Sequence, residues 1–239
     1  MRGSTFERFL PWTGAVAGAA WIGQTLLFQM DAGSPGTATT ATIEDHLFVN
    51  YAAVGCLVLM GIMLVFFAAA LRGRLRSAEA REATYSAISY GGLLLAAAGL
   101  SQMVLWSWAM INGAADAHDD QALHVLSFAG YFGFAGMGIG LATTLVATGL
   151  GGLSNAALPR WFAIITLVLG LLSALGTAGI PPGGLVNYVL LPVWLATASV
   201  VIARGRPRAD GRNGRVLTEV TTRSRTRHGE ELDDRARAE

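Results

Sequence analysis

Five stretches of this chain carry no charged side chain: residues 9–30, 46–71, 83–115, 121–159 and 161–203. A run of about 20 apolar residues crosses the hydrocarbon of a bilayer, and an ionised group held there is costly. In lipid an α-helix satisfies its own backbone polar groups, so the pattern predicts a bundle of membrane helices. The 17 basic residues are all arginines, and they occupy only every other gap between these stretches, together with ten of the 16 acids. Arg2 and Arg8, Arg72 to Arg81, Arg160, and Arg204 onward fill alternate gaps. The gaps between them hold Asp31, Glu44, Asp45, Asp116, Asp119 and Asp120 and no base. Basic residues near span ends stay on the cytoplasmic side, which puts both termini inside and the plasma membrane as the expected location.

Composition agrees with this reading. The chain is 53% hydrophobic and 14% charged, against about a quarter charged in an average soluble domain. Residues 1–205 read as an all-α, six-helix transmembrane bundle. Its spans lie at about 10–30, 47–71, 85–111, 122–150, 161–180 and 185–203. The first span runs on past a signal-peptide-like start, through Trp21 to Phe28, which favours an anchored helix over a cleaved leader. Ser77–Thr84 reads as a helical extension into the cytoplasm. The last uncharged stretch is too long for one span, and Pro181-Pro182-Gly183-Gly184 divides it. Pro192 is expected to kink the sixth span. Residues 206–239 form an Arg-rich cytoplasmic tail with few large apolar side chains, expected to be disordered. Arg204, Arg206 and Arg208 at its root would attract anionic lipid. The acids interspersed along the tail favour that topological role over nucleic-acid binding.

The spans are poor in chemistry. No Asp, Glu, Lys or Arg falls inside any of them, which weighs against proton pumps and voltage sensors. The absence of lysine excludes a retinal Schiff base. Cys56 is the only cysteine, so no disulfide forms within the chain. No nucleotide loop, nucleophile elbow or His-Glu-x-x-His helix occurs, and no cofactor is expected. Gln24 and Gln102 are the amides suited to hydrogen bonds across helices. Gly14-x-x-x-Gly18 and Gly136-x-x-x-Gly140 have the spacing of close helix packing, expected inside the bundle rather than in a dimer.

One polar cluster remains. His46, His118 and His124 flank the two acidic gaps, together with Asp120 and other carboxylates. Imidazole and carboxylate suit zinc and related ions, yet linear spacing makes no site unless the two loops converge. His118 and His124 also lie off the i, i+4 spacing of a metalloprotease helix. Helix capping and solvation explain the cluster without a metal, with Asp45 and Asp120 at the starts of the second and fourth spans.

Three short stretches carry a resemblance: Thr37–Ile43, Leu71-Arg72-Gly73-Arg74-Leu75-Arg76, and Ala157-Leu158-Pro159-Arg160-Trp161. In these the chain resembles an uncharacterised six-span family of integral membrane proteins from high-GC bacteria, a domain of unknown function. The resemblance covers roughly residues 10–206. It implies a six-helix bundle, no established activity and no site residues. The expected role is structural, regulatory or accessory and non-enzymatic. A small-molecule permease using Gln102 and the Gly-rich fourth span is one alternative, and a metal-dependent enzyme built on the histidines is another.

Overall fold

The computed structural model describes residues 5–31, 39–79, 82–180 and 189–205, all within the compact unit Met1–Gly205. The described residues are helical throughout, apart from turns. α1 (Thr5–Phe9) leads through a 3-10 turn at Leu10–Trp12 into α2 (Thr13–Asp31). Next come α3 (Thr40–Asp45), α4 (Leu47–Arg76) and α5 (Thr84–Ala109), which continues as a π-helical turn over Met110–Ala114. α6 (Asp120–Phe132), α7 (Phe134–Asn155), α8 (Arg160–Thr177) and α9 (Leu191–Arg204) complete the bundle. Four helical runs are long and apolar enough to cross a membrane: Leu47–Arg76, Thr84–Ala114, Asp120–Asn155 and Arg160–Thr177. The chain is a helical protein built for a membrane.

The helices neighbour one another in the order α9, α2, α4, α5, α7, α8. Trp194 of α9 joins the two ends of that row. Its indole Nε1 donates to Thr166 Oγ1 of α8 at 2.9 Å. Its ring lies parallel to Phe162 of α8 at 6.3 Å between centroids and meets Phe67 of α4 edge-on at 6.1 Å. Around this node Trp21, Met60, Leu64, Leu93, Met137, Leu141 and Leu195 are wholly buried. The bundle has two distinct ends. Arg72, Arg74, Arg76 and Arg160 mark the arginine end; the tips of α3 and α4, the π-turn and the start of α6 form the acidic end.

Glycines set the spacing between helices. A Cβ on Gly92 of α5 would stand 2.8 Å from the Gly140 carbonyl oxygen and 2.5 Å from Thr144 Oγ1 of α7. A Cβ on Gly99 would stand 2.6 Å from the Gly136 carbonyl carbon. Gly140 in turn meets the backbone of Ala96. Gly14 and Gly18 of α2 face Phe67 of α4 and the Pro192 backbone of α9. Both small-xxx-small patterns are therefore used within one chain. Gly149 lies on the Leu167 backbone and Gly170 on that of Val146, which brings α7 and α8 together in the same way.

Several sequence expectations change. The fourth span is two helices, because α6 ends at Gly133, whose N–H turns back to the Gly130 carbonyl at 3.2 Å. Met103 packs over that point, where a Cβ on Gly133 would lie 2.8 Å from its Cγ. The first span opens with a separate turn around Pro11 rather than one unbroken helix. Of the Ser77–Thr84 connector expected to be helical, the described residues 77–79, 82 and 83 form turns and irregular backbone. Ser77 and Glu79 close a turn on Gly73 and Leu75, and Ala83 takes a left-handed backbone with φ 50° just before α5. Pro192 stands in the first turn of α9, where its missing N–H costs no helical bond, rather than kinking a span. The Pro181–Gly184 turn, Asn187 and the tail 206–239 lie outside the described residues.

The glycine seam makes a contrast testable by thermal unfolding in detergent. Gly92→Ala forces a methyl into the α7 backbone and is expected to lose about 1–3 kcal/mol, the usual cost of overpacking. Gly55→Ala of α4, where an added Cβ meets nothing within 4 Å, is expected to be neutral or to gain up to about 1 kcal/mol. Equal melting of the two variants would show that the seam does not hold the bundle.

Candidate functional site

Residues 39–46 and 110–124, which carry the acidic gaps, converge into a cap. Thr39 caps α3, its Oγ1 accepting from Thr42 N at 3.3 Å. Thr40 then offers its N–H and Oγ1 to Asp120 Oδ1 on α6, each at 3.2 Å. Tyr51 of α4 donates its hydroxyl to Asn112 Oδ1 at 2.8 Å and packs edge-on against Trp108. Beneath these contacts Ile43, Ala114, Ala115 and Leu123 form a small apolar cluster distinct from the main core. The cap is a hydrophobic seal with a polar rim.

Among the described residues no three of His, Cys, Asp and Glu stand together as a metal-binding group. His46 is exposed and pairs its Nδ1 with the Thr42 carbonyl at 3.2 Å. His118 is exposed in a left-handed conformation, φ 54°, with Nδ1 3.2 Å from the Asp116 carbonyl. His124 lies edge-on to Phe128, ring centroids 5.1 Å apart. Each ring makes a contact within its own local segment. Asp120 is spent on Thr40, and the capping role expected of it belongs to Asp119, whose Oδ1 accepts from Gln121 N at 3.1 Å and Ala122 N at 3.0 Å. Asp45 closes α3 instead of opening α4.

The interior polar groups form links between helices. Ser89 of α5 and Thr148 of α7 pair through their hydroxyls at 3.0 Å, and Thr144 Oγ1 reaches the Ser89 carbonyl at 3.2 Å. Trp194 and Thr166 add a further cross-helix bond in the core. They join groups that the sequence left unmarked, since a lone Ser, Thr or Trp in an apolar run gives no sign of its facing partner. The two glutamines behave otherwise. Gln24 is half-buried and Gln102 is exposed, and neither has a hydrogen-bond partner among the described residues. Gln102 does not line the cleft of about 460 Å³ between α4 and α5. That cleft is lined by Leu57, Val58, Ile62 and Val65 and by Leu94, Leu100 and Ser101.

At the arginine end, Arg72 stacks over the Tyr90 ring at 5.0 Å, and Arg74 Nη1 donates to the Gly205 carbonyl at the end of α9. Glu79 Oε1 accepts from Ser86 N at 2.9 Å at the start of α5. These contacts tie helix ends together. The chain matches no family model, no curated protein and no solved structure.

The placement of the histidines sets an expectation for metal binding. Purified protein titrated with zinc is expected to hold no stoichiometric ion. His46→Ala with His118→Ala is expected to leave both zinc content and melting temperature unchanged. A tight site removed by those substitutions would restore the metal-enzyme reading.

Proposed function

We propose that this chain is a six-span integral membrane protein of the bacterial plasma membrane, with both termini and the arginine end in the cytoplasm. It acts non-enzymatically, as a structural, regulatory or accessory component. The observation that carries this reading is how the interior is occupied. Helix backbones meet at Gly92, Gly99 and Gly140, large side chains fill the centre, and the hydroxyls of Ser89, Thr144, Thr148 and Thr166 serve helix-to-helix bonds. Such a core supports rigid association and offers no row of free polar groups to a solute.

The orientation is supported by charge. Glu44, Asp45, Asp116, Asp119 and Asp120, with three histidines, lie at an end that holds no arginine, and Arg72, Arg74, Arg76 and Arg160 lie at the other, the asymmetry that the positive-inside rule describes. Trp108 and Trp161, both substantially exposed, stand near opposite ends, where indole rings favour the interface. The six-span count adds α2 and α9 to the four membrane-length runs and accords with the resemblance of the Leu71–Arg76 and Ala157–Trp161 stretches to a six-span family. Arg204, at the end of α9, sits where anionic headgroups would meet it. The permease reading has less behind it, since Gln102 faces away from the core and the α4–α5 cleft is apolar.

Two measurements test the reading. In a Cys56→Ala background, a single cysteine at Ala117 is expected to react with a membrane-impermeant maleimide in intact cells, and one at Ser77 only after lysis. The reverse pattern would invert the topology. Liposomes loaded with pyranine and carrying the purified protein are expected to leak protons no faster than empty ones. A protein-dependent leak would favour a channel.

A further inference from the structure

Gln102 is the polar side chain this chain leaves unexplained. It lies in the run Thr84–Ala114, six residues before Trp108 and so about 9 Å further from that helix end at 1.5 Å per residue. Its amide is exposed on the outward face of α5 and has no hydrogen-bond partner among the described residues. Outward or half-exposed hydroxyls elsewhere in the bundle are satisfied locally. Ser101 donates to Ala97, Thr143 to Ile139 and Thr197 to Val193, each to its own helix four residues back. A glutamine amide has two donors and an acceptor to satisfy, and hydrocarbon supplies none of them.

We infer that the Gln102 face of α5 is where a second copy of this chain docks, with the two Gln102 amides hydrogen-bonded to each other. The inference rests on α5 spanning the membrane. Three observations fix the occupant as a second copy. First, two copies inserted with the same topology place Gln102 at one depth, so each amide meets a group able both to donate and to accept. Second, among the exposed residues of α5, Gly91, Leu95, Ala98, Gln102 and Leu105 line up at the spacing of four and three that forms the seam of a left-handed helix pair. A single polar residue in such a seam fixes register and partner. Third, the apolar cleft between α4 and α5 opens beside this seam, with Ala98 and Ser101 on its wall. It can receive apolar side chains of the partner's α5. The dimer is a parallel α5–α5 pair about a twofold axis along the membrane normal, with α4 of each copy flanking it.

The test is self-association in liposomes, read as energy transfer between donor- and acceptor-labelled protein while the protein-to-lipid ratio is lowered. Wild type is expected to dissociate on dilution along a dimer curve. Gln102→Leu is expected to weaken that association about 3- to 30-fold, the range set by hydrogen bonds between membrane helices. Gln102→Asn is expected to restore part of it. Because the side chain is exposed, melting in detergent should be unchanged, which separates lost docking from lost fold. In a Cys56→Ala background, oxidation is expected to cross-link single cysteines at Ala98 or Leu105 but not at Leu171, on the outward face of α8. A wild type that stays monomeric, or association identical in Gln102→Leu, would overturn the inference. So would cross-linking confined to Leu171. The topology labelling above reports separately on whether α5 spans at all.

Discussion

Backbone contact between α5 and α7 is the constraint from which the rest of this bundle follows. Lipid tails are as apolar as leucine, so burying leucine against leucine gives membrane helices little reason to associate. Association then depends on how closely backbones approach and on the dispersion contacts that approach permits. Gly92 and Gly99 on one helix and Gly136 and Gly140 on the other remove the side chains that would keep them apart. The hydroxyls of Ser89, Thr144 and Thr148 can bridge the same seam only because the backbones are already close. Once α5 and α7 are fixed, α8 follows through Gly149 and Gly170, and α4 packs against α5.

The other half of the bundle is held by an aromatic node. α9 is short, with 14 residues from Leu191 to Arg204, and it packs chiefly on α2. Trp194 extends its reach to α4 and α8 by using both characters of an indole. The ring supplies area against Phe67 and Phe162, while the N–H is satisfied by Thr166. A buried indole without such an acceptor would pay the desolvation penalty of an unmade bond. The Trp194–Thr166 pair therefore specifies which helices meet, as well as how tightly.

The degree to which this was legible in the sequence follows the range of each interaction. Helix existence depends on local hydropathy, and the charge-free stretches located α4, α5 and α8 to within a few residues. Capping is nearly local, yet the cap fell on Asp119 rather than Asp120, because Asp120 is claimed by Thr40, eighty positions away in sequence. The break at Gly133 was hidden among five glycines that look alike until Met103 is placed against one of them. Trp194 and Thr166 carried no motif, since their pairing exists only after α8 and α9 are brought together. The histidines show a different limit. Their loops do converge, through Ile43, Ala115 and Leu123, but the apolar contact that joins the loops leaves the imidazoles on the rim, engaged with their own segments.

That same cap bears on why Gln102 faces outward. α5 is held along its whole length. Gly92 and Gly99 must face α7, Tyr90 lies under Arg72 near one end, and Trp108 and Asn112 are engaged by Tyr51 near the other. Turning the helix far enough to bury the amide would swing both glycines out of the seam and put bulkier residues against the α7 backbone. It would also pull Asn112 away from Tyr51. The bundle cannot satisfy Gln102 from within without giving up the contact that assembles it. The amide is fixed on the surface by the packing of its neighbours, and no group among the described residues satisfies it.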